Sequence, residues 1–224
     1  MMVQNYQKIL DDIIRQDEER GKVKRLLLHA CCAPCSSYCL EYLSKYYEIT
    51  VFFYNPNITG KEEYEKRAAQ LDRFVKEFNC NNLKEDNKKH KVEVLLGRYE
   101  PDKFFEMAKG HESDLEGGSR CRMCYAMRLE ETALQAQKGG FDYFSTTLSI
   151  SPYKNAVWLN ELGRDFSKVY SVAYLYSDFK KKNGYKRSIE LSAQYDLYRQ
   201  DYCGCVYSKV QAYEMREKRQ QQQV

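Results

Sequence analysis

Short, continuous apolar runs that alternate with longer amphipathic stretches constrain this chain more than any other feature. Arg25-Leu26-Leu27-Leu28-His29-Ala30 and residues 49–54, 92–96 and 143–147 suit strands buried on both faces. Between and around them lie helical stretches. Tyr6, Ile9, Leu10, Ile13 and Ile14 share one face of a first amphipathic helix, which Gly21 ends. Pro34 turns the chain after the first strand, and Ser36 and Ser37 suit the start of a helix to about Lys45. Further helices are predicted over 61–78, from Pro101, over 121–138 before Gly139-Gly140, and over 154–162. Strands alternating with helices predict an α/β fold: a Rossmann-like parallel sheet with helices on both faces.

After Val172 the pattern changes. Residues 180–187 read as a basic loop, a polar helix leads to Tyr202-Cys203-Gly204-Cys205, and the charged, Gln-rich stretch from Arg216 is expected to fray. The predicted organisation is an N-terminal helix (1–20), one α/β domain with its C-terminal Cys-Gly-Cys segment (21–208), and a terminal helix and tail (209–224).

With 43% hydrophobic and 14% aromatic residues, the 224-residue chain has material for a real core, which excludes wholesale disorder. No apolar run approaches the ~20 residues a membrane span needs. The polar N-terminus through Arg20 lacks a secretory pattern, so the expectation is a soluble cytoplasmic protein with no membrane partner. A net charge of +4 permits a nucleic-acid partner without demanding one.

Nine cysteines, an odd number, sit mostly in three tight groups, which disfavours a secreted disulfide scaffold and favours metal or redox chemistry. Cys31 and Cys32 follow the first predicted strand, at the strand end where open parallel sheets bind ligands. Cys121 and Cys124 share a helix face near a positive dipole end that favours thiolates. Four such thiolates suit zinc or an iron–sulfur cluster, and the vicinal Cys31-Cys32 pair tilts the choice modestly toward a cluster. Cys35 reads either as an additional ligand or as a buried thiol on a first helical turn. Cys203-Gly204-Cys205 closes only a small, strained ring as a disulfide, which favours a reducible couple; metal ligation or free thiols are the alternative. Cys39 and Cys80 read as plain core or surface residues, and His29 as a hydrogen-bonded core histidine. Most of the 20 tyrosines read as half-buried packing.

Six stretches then point to a family. They are His29-Ala30-Cys31-Cys32-Ala33-Pro34-Cys35, Tyr54-Asn55-Pro56-Asn57-Ile58, and residues 121–129 from Cys121-Arg122-Met123-Cys124 onward. Residues 146–154, ending Ser151-Pro152-Tyr153-Lys154, Asp178-Phe179-Lys180, and residues 198–205 complete the set. In this order the chain resembles the QueH-type, cobalamin-independent epoxyqueuosine reductases. The resemblance implies a core like that of the adenine nucleotide alpha hydrolases. It also implies reduction of epoxyqueuosine to queuosine at the tRNA wobble position, the last step of queuosine biosynthesis. By the same resemblance, Cys31, Cys32, Cys121 and Cys124 ligate a [4Fe-4S] cluster, and Cys203 and Cys205 form a redox-active disulfide. An adjacent mononuclear iron, with Cys35 or a carboxylate as ligand, is compatible with it.

The expected partners are tRNA carrying epoxyqueuosine and an unidentified electron donor. Lys180, Lys181, Lys182, Lys186, Arg187, Arg122 and Arg128 are the candidate phosphate contacts, with aromatics stacking a splayed base. Tyr202, Tyr153 and Asp178 are candidate proton donors. Two other readings stand beside this one. A nucleotide-activating tRNA sulfurtransferase would need a phosphate-cradling loop, but Cys31-Cys32-Ala33-Pro34-Cys35 has no glycine. A zinc-stapled RNA-binding module would be colourless.

Overall fold

The computed structural model describes residues 4–84 and 90–221. The elements are α1 (Tyr6–Glu19), β1 (Lys24–His29), α2 (Ala33–Leu43), β2 (Tyr47–Phe53), α3 (Lys61–Lys84), β3 (Val92–Leu96) and α4 (Pro101–Ala108). They continue with α5 (Ser119–Lys138), β4 (Tyr143–Thr146), a 3-10 turn (Thr147–Ile150), α6 (Ala156–Tyr170), β5 (Ala173–Tyr174), α7 (Gly184–Gln194) and α8 (Val206–Gln221).

The strands form one sheet in the order β3-β2-β1-β4-β5, with every pairing parallel. Alternate side chains of the buried runs feed two cores, which is why these runs are apolar throughout. Leu26, Leu28, Ile49, Val51 and Phe53 pack with Leu10, Leu40, Leu43, Leu71, Phe74 and Leu191, so α1, α2, α3 and α7 cover one face. Leu27, Phe52 and Phe144 pack with Tyr125, Leu129, Ala133 and Leu159, placing α5 and α6 on the other. This is the parallel α/β architecture with helices on both faces that the alternation of elements predicts.

Several boundaries differ from the sequence-based expectation. Helix α6 runs past Leu162 to Tyr170, and Gly163 within it marks a close approach: a Cβ there would lie 2.4 Å from the Tyr174 ring. Strand β5, two residues long, lies in the apolar run Val172-Ala173-Tyr174-Leu175-Tyr176 and was not among the expected strands; Ala173 and Tyr174 pair with Tyr143 and Phe144. The expected basic loop 180–187 becomes helical at Gly184, after a left-handed Asn183. Helix α8 persists through Gln221 where fraying is expected, while residues 222–224, like 1–3, lie outside the described residues. Among the described residues no helix is long and apolar enough to cross a membrane.

Strand order reverses direction between β1 and β4, so the crevice at their carboxyl ends is where a ligand site is expected. His29 closes the floor of that crevice. Its Nε2–H donates to Tyr54 O at 3.0 Å, and its Nδ1 accepts from Thr146 Oγ1 at 2.9 Å, tying β1 to the chain leaving β2 and to β4. Burial is the main cause pushing its pKa down to about 3, with Arg128 adding to it, so the ring is neutral.

Candidate active site

Cys31 stands at a bend beyond β1 and Cys32 follows in extended backbone at the N-cap position of α2, whose first turn holds Pro34 and Cys35. This tight entry folds three sulfurs onto one point. The Sγ atoms of Cys31, Cys32 and Cys35 all lie within 4.8 Å of one another, with Cys31 and Cys32 3.7 Å apart. Among the described residues no other group of three metal-ligating side chains converges so closely. Sulfur–sulfur hydrogen bonding within the triad, before burial, pushes the Cys31 and Cys35 thiols up and holds Cys32 well down. The buried Arg67 guanidinium adds to the pull on Cys32.

A second set of sulfurs lines an adjoining cleft. Helix α5 starts behind Gly118 and sets Cys121 and Cys124 one turn apart. Gly117 N–H donates to Cys121 Sγ at 3.3 Å. Burial pushes Cys124 up to about 12 against the pull of Arg128. Cys203 and Cys205 complete this wall together with Asn57, Glu116, Arg120, Tyr125 and Arg128. The Cys-Gly-Cys segment is clamped from behind: Arg67 Nη1 donates to Cys203 O at 3.1 Å, and Thr59 N–H to Gly204 O at 3.3 Å. Gly204 has φ +121°, and a Cβ there would come 2.9 Å from Ile58. Cys205 sits at the mouth of α8, its Sγ accepting from Ser208 N–H at 3.3 Å. All nine cysteines are free thiols in the structure.

Cys121 and Cys124 thus stand outside the triad, on the neighbouring wall. Cys203 belongs to both regions, because it also lines a cavity of about 470 Å³ that opens beside Cys31 and Cys35. Tyr153, Tyr185 and Tyr202 supply aromatic surface there, and Arg199, Arg216 and Arg219 supply charge. The size and lining suit one splayed nucleoside with its backbone held at the rim.

Three further residues escape a reading by sequence. Lys154 Nζ donates to Glu116 Oε1 at 2.8 Å with only 7% of the lysine side chain exposed. Burial opposes its charge, yet Cys203, Tyr125 and Glu116 outweigh burial and hold the ammonium well above its ordinary range. Glu116 lines both regions. The only sequence signal was that Lys154 ends a matched motif. Arg67, which anchors the Cys-Gly-Cys segment, carried no signal at all, because only tertiary folding buries it. Of the proton-donor candidates, Tyr153 and Tyr202 line the cavity, whereas Asp178 is paired with Lys180 at 2.6 Å.

The expected phosphate contacts need correction. Arg128 is fully buried against the thiols and is not a surface cation. Lys180 pairs with Asp178 two residues away, Lys182, still exposed in the turn before α7, pairs with Asp11 of α1 at 2.7 Å, and Arg187 of α7 pairs with Glu41 of α2 at 2.7 Å. Lys181, Lys186 and Arg122 remain exposed, Arg122 lying 4.0 Å from Glu161.

The donor set fits a thiophilic metal. Soft sulfur ligands converge, and buried polar groups around them lack protein partners: both Nη atoms of Arg128, Nη2 of Arg120 and the Tyr125 hydroxyl. Comparison with known proteins identifies the family. The family profile described as Epoxyqueuosine reductase QueH matches residues 26–211. A Staphylococcus epidermidis protein of that name is 47% identical over 206 residues, covering 91% of this chain and 84% of its own length. The Streptococcus pyogenes protein of the same name is 45% identical over 204 residues, 91% of this chain and 78% of its own. A Thermotoga maritima relative, also so named, is 35% identical over 189 residues, 82% and 89% of the two chains. With its cysteine-lined crevice and a match over most of its length, this chain belongs to the epoxyqueuosine reductase QueH family.

Proposed function

We propose that this chain reduces epoxyqueuosine to queuosine within tRNA, with residues 21–208 as the catalytic unit. The observation that carries the reading is that Cys203 lines both the nucleoside-sized cavity and the cleft of Cys121, Cys124 and Cys205. Cys31, Cys32, Cys121 and Cys124 are the proposed ligands of a [4Fe-4S] cluster, with Cys35 as the added donor toward an adjacent mononuclear iron. When bound, the iron centre supplies single electrons and Lewis acidity.

Deoxygenation of the epoxide to an alkene consumes two electrons and two protons and releases water. Cys203 and Cys205 together supply that quantity when two S–H bonds become one S–S bond. Gly204 allows the close approach this needs, and a reductant then restores the dithiol. Lys154, held charged beside Glu116, is the cavity-wall group that donates a hydrogen bond to the oxygen as it departs; Tyr202 lies on the same wall. Tyr153, 75% exposed at the rim, offers a stacking face for the extruded base. A cytoplasmic setting, which keeps thiols reduced, accords with free cysteines and a tRNA substrate.

Single turnover on tRNA tests the reading. Anaerobically purified protein is expected to be brown, and Cys203→Ser or Cys205→Ser with full iron content should form no more than traces of alkene. Undiminished product from either variant removes the dithiol from the reaction, and a colourless, zinc-loaded parent removes the cluster.

A further inference from the structure

Helix α5 presents Cys121, Cys124, Tyr125 and Arg128 at spacing i, i+3, i+4 and i+7, on one face toward the cleft. Arg128 is wholly buried there. Its Nε donates to Cys124 O at 3.1 Å, which anchors the guanidinium to its own helix, while Nη1 and Nη2 have no hydrogen-bond partner. Apart from that backbone bond and the Tyr125 ring 5.7 Å from the guanidinium, this buried charge has no counter-charge in the protein, an unfavourable arrangement for an interior ion. No carboxylate lines this wall beside it except Glu116, and Glu116 is engaged by Lys154. The groups whose charged forms would act most on Arg128 are thiols, Cys124, Cys203 and Cys31, one from each cysteine group, and metal binding is what deprotonates such thiols. An arginine fork supplies two parallel N–H donors and a charge that is never lost.

We propose that Arg128 is the counter-charge of the metal–thiolate assembly, a positioning residue that stabilises the extra negative charge of the reduced state and raises its reduction potential. The inference rests on the reading that these cysteines hold iron. Hydrogen bonds and positive charge near cluster sulfur are the recognised levers by which a protein raises such a potential.

Arg128→Met and Arg128→Lys in the full chain test it, each measured metal-free and after anaerobic loading with ferrous iron and sulfide. Without metal, Arg128→Met should unfold at or above the parent's temperature, because an unpaired charge has left the interior. With metal, its gain in unfolding temperature should be smaller than the parent's. Its midpoint potential should fall by at least a tenfold change in equilibrium constant, about 59 mV for a one-electron couple. Arg128→Lys, which keeps the charge but not the fork, should lie between. A potential in Arg128→Met equal to the parent's, or a metal-free Arg128→Met less stable than the parent, overturns the proposal. A parent that takes up zinc and no iron defeats the cluster reading instead, and the stability comparison repeated with zinc then decides the role of Arg128.

Discussion

Gly204 keeps Cys203 and Cys205 where they are by a conformation that side chains rarely adopt. Its φ of +121° and the 2.9 Å and 3.2 Å separations from Ile58 and Arg67 of any added Cβ act together. Gly204→Ala should therefore cost about 1–3 kcal/mol in urea unfolding and displace both thiols. Such a variant unfolding at the parent's midpoint contradicts the clamp. His29 makes a pH prediction for the metal-free chain. Its folded pKa, about 3, is depressed below the unfolded value, so its contribution is present above about pH 6.5 and is lost as pH falls toward 3. Stability should decline by up to about 1.4 kcal/mol per pH unit from this group across that window. His29→Gln should flatten that segment of the stability–pH curve. At this scale sequence reading sees residue types and misses their surroundings: Arg128 reads as a phosphate contact because charge is visible in a sequence and burial is not.

Strands β1 and β2 were legible because burial on both faces demands unbroken apolar runs, whereas β5, two residues that pair with β4, was not among the expected strands. The expected end of α6 at Leu162 was too early as well. A glycine inside a helical pattern looks like a stop, yet here it admits the Tyr174 ring against α6. Two effects compete in Gly163→Ala. Helix propensity favours alanine by about 1 kcal/mol, while a Cβ 2.4 Å from a buried ring forces repacking that costs about 1–3 kcal/mol. The expected outcome is a net loss of up to about 2 kcal/mol by denaturant unfolding, and a stabilised variant shows that the ring moves freely. The cations around the start of α7 likewise gained a local role, since Lys182 pairs with Asp11 of α1 and Arg187 with Glu41 of α2.

Across the whole molecule, the sheet order sets the crevice between β1 and β4, and α8 folds back so that Met215, Arg216 and Arg219 border it. Arg216 is paired with Asp201 and Arg219 is exposed, which makes Arg219 the clearer phosphate contact. Arg219→Ala should lower tRNA affinity and reduce the slope of log K against log salt by about 1; an unaltered slope shows that the nucleic acid runs elsewhere. The sequence by itself determined the layered parallel architecture, because periodicity and punctuation are local properties. It also determined the family, because six ordered motifs span most of the chain. Only the tertiary structure decided that Cys31, Cys32 and Cys35 converge while Cys121 and Cys124 share a wall with Cys203 and Cys205. The same holds for Lys154, Arg67 and Arg128 becoming buried charges beside sulfur. Convergence and burial depend on which distant segments meet, and that is set by packing the sheet's two faces rather than by any stretch of neighbouring residues.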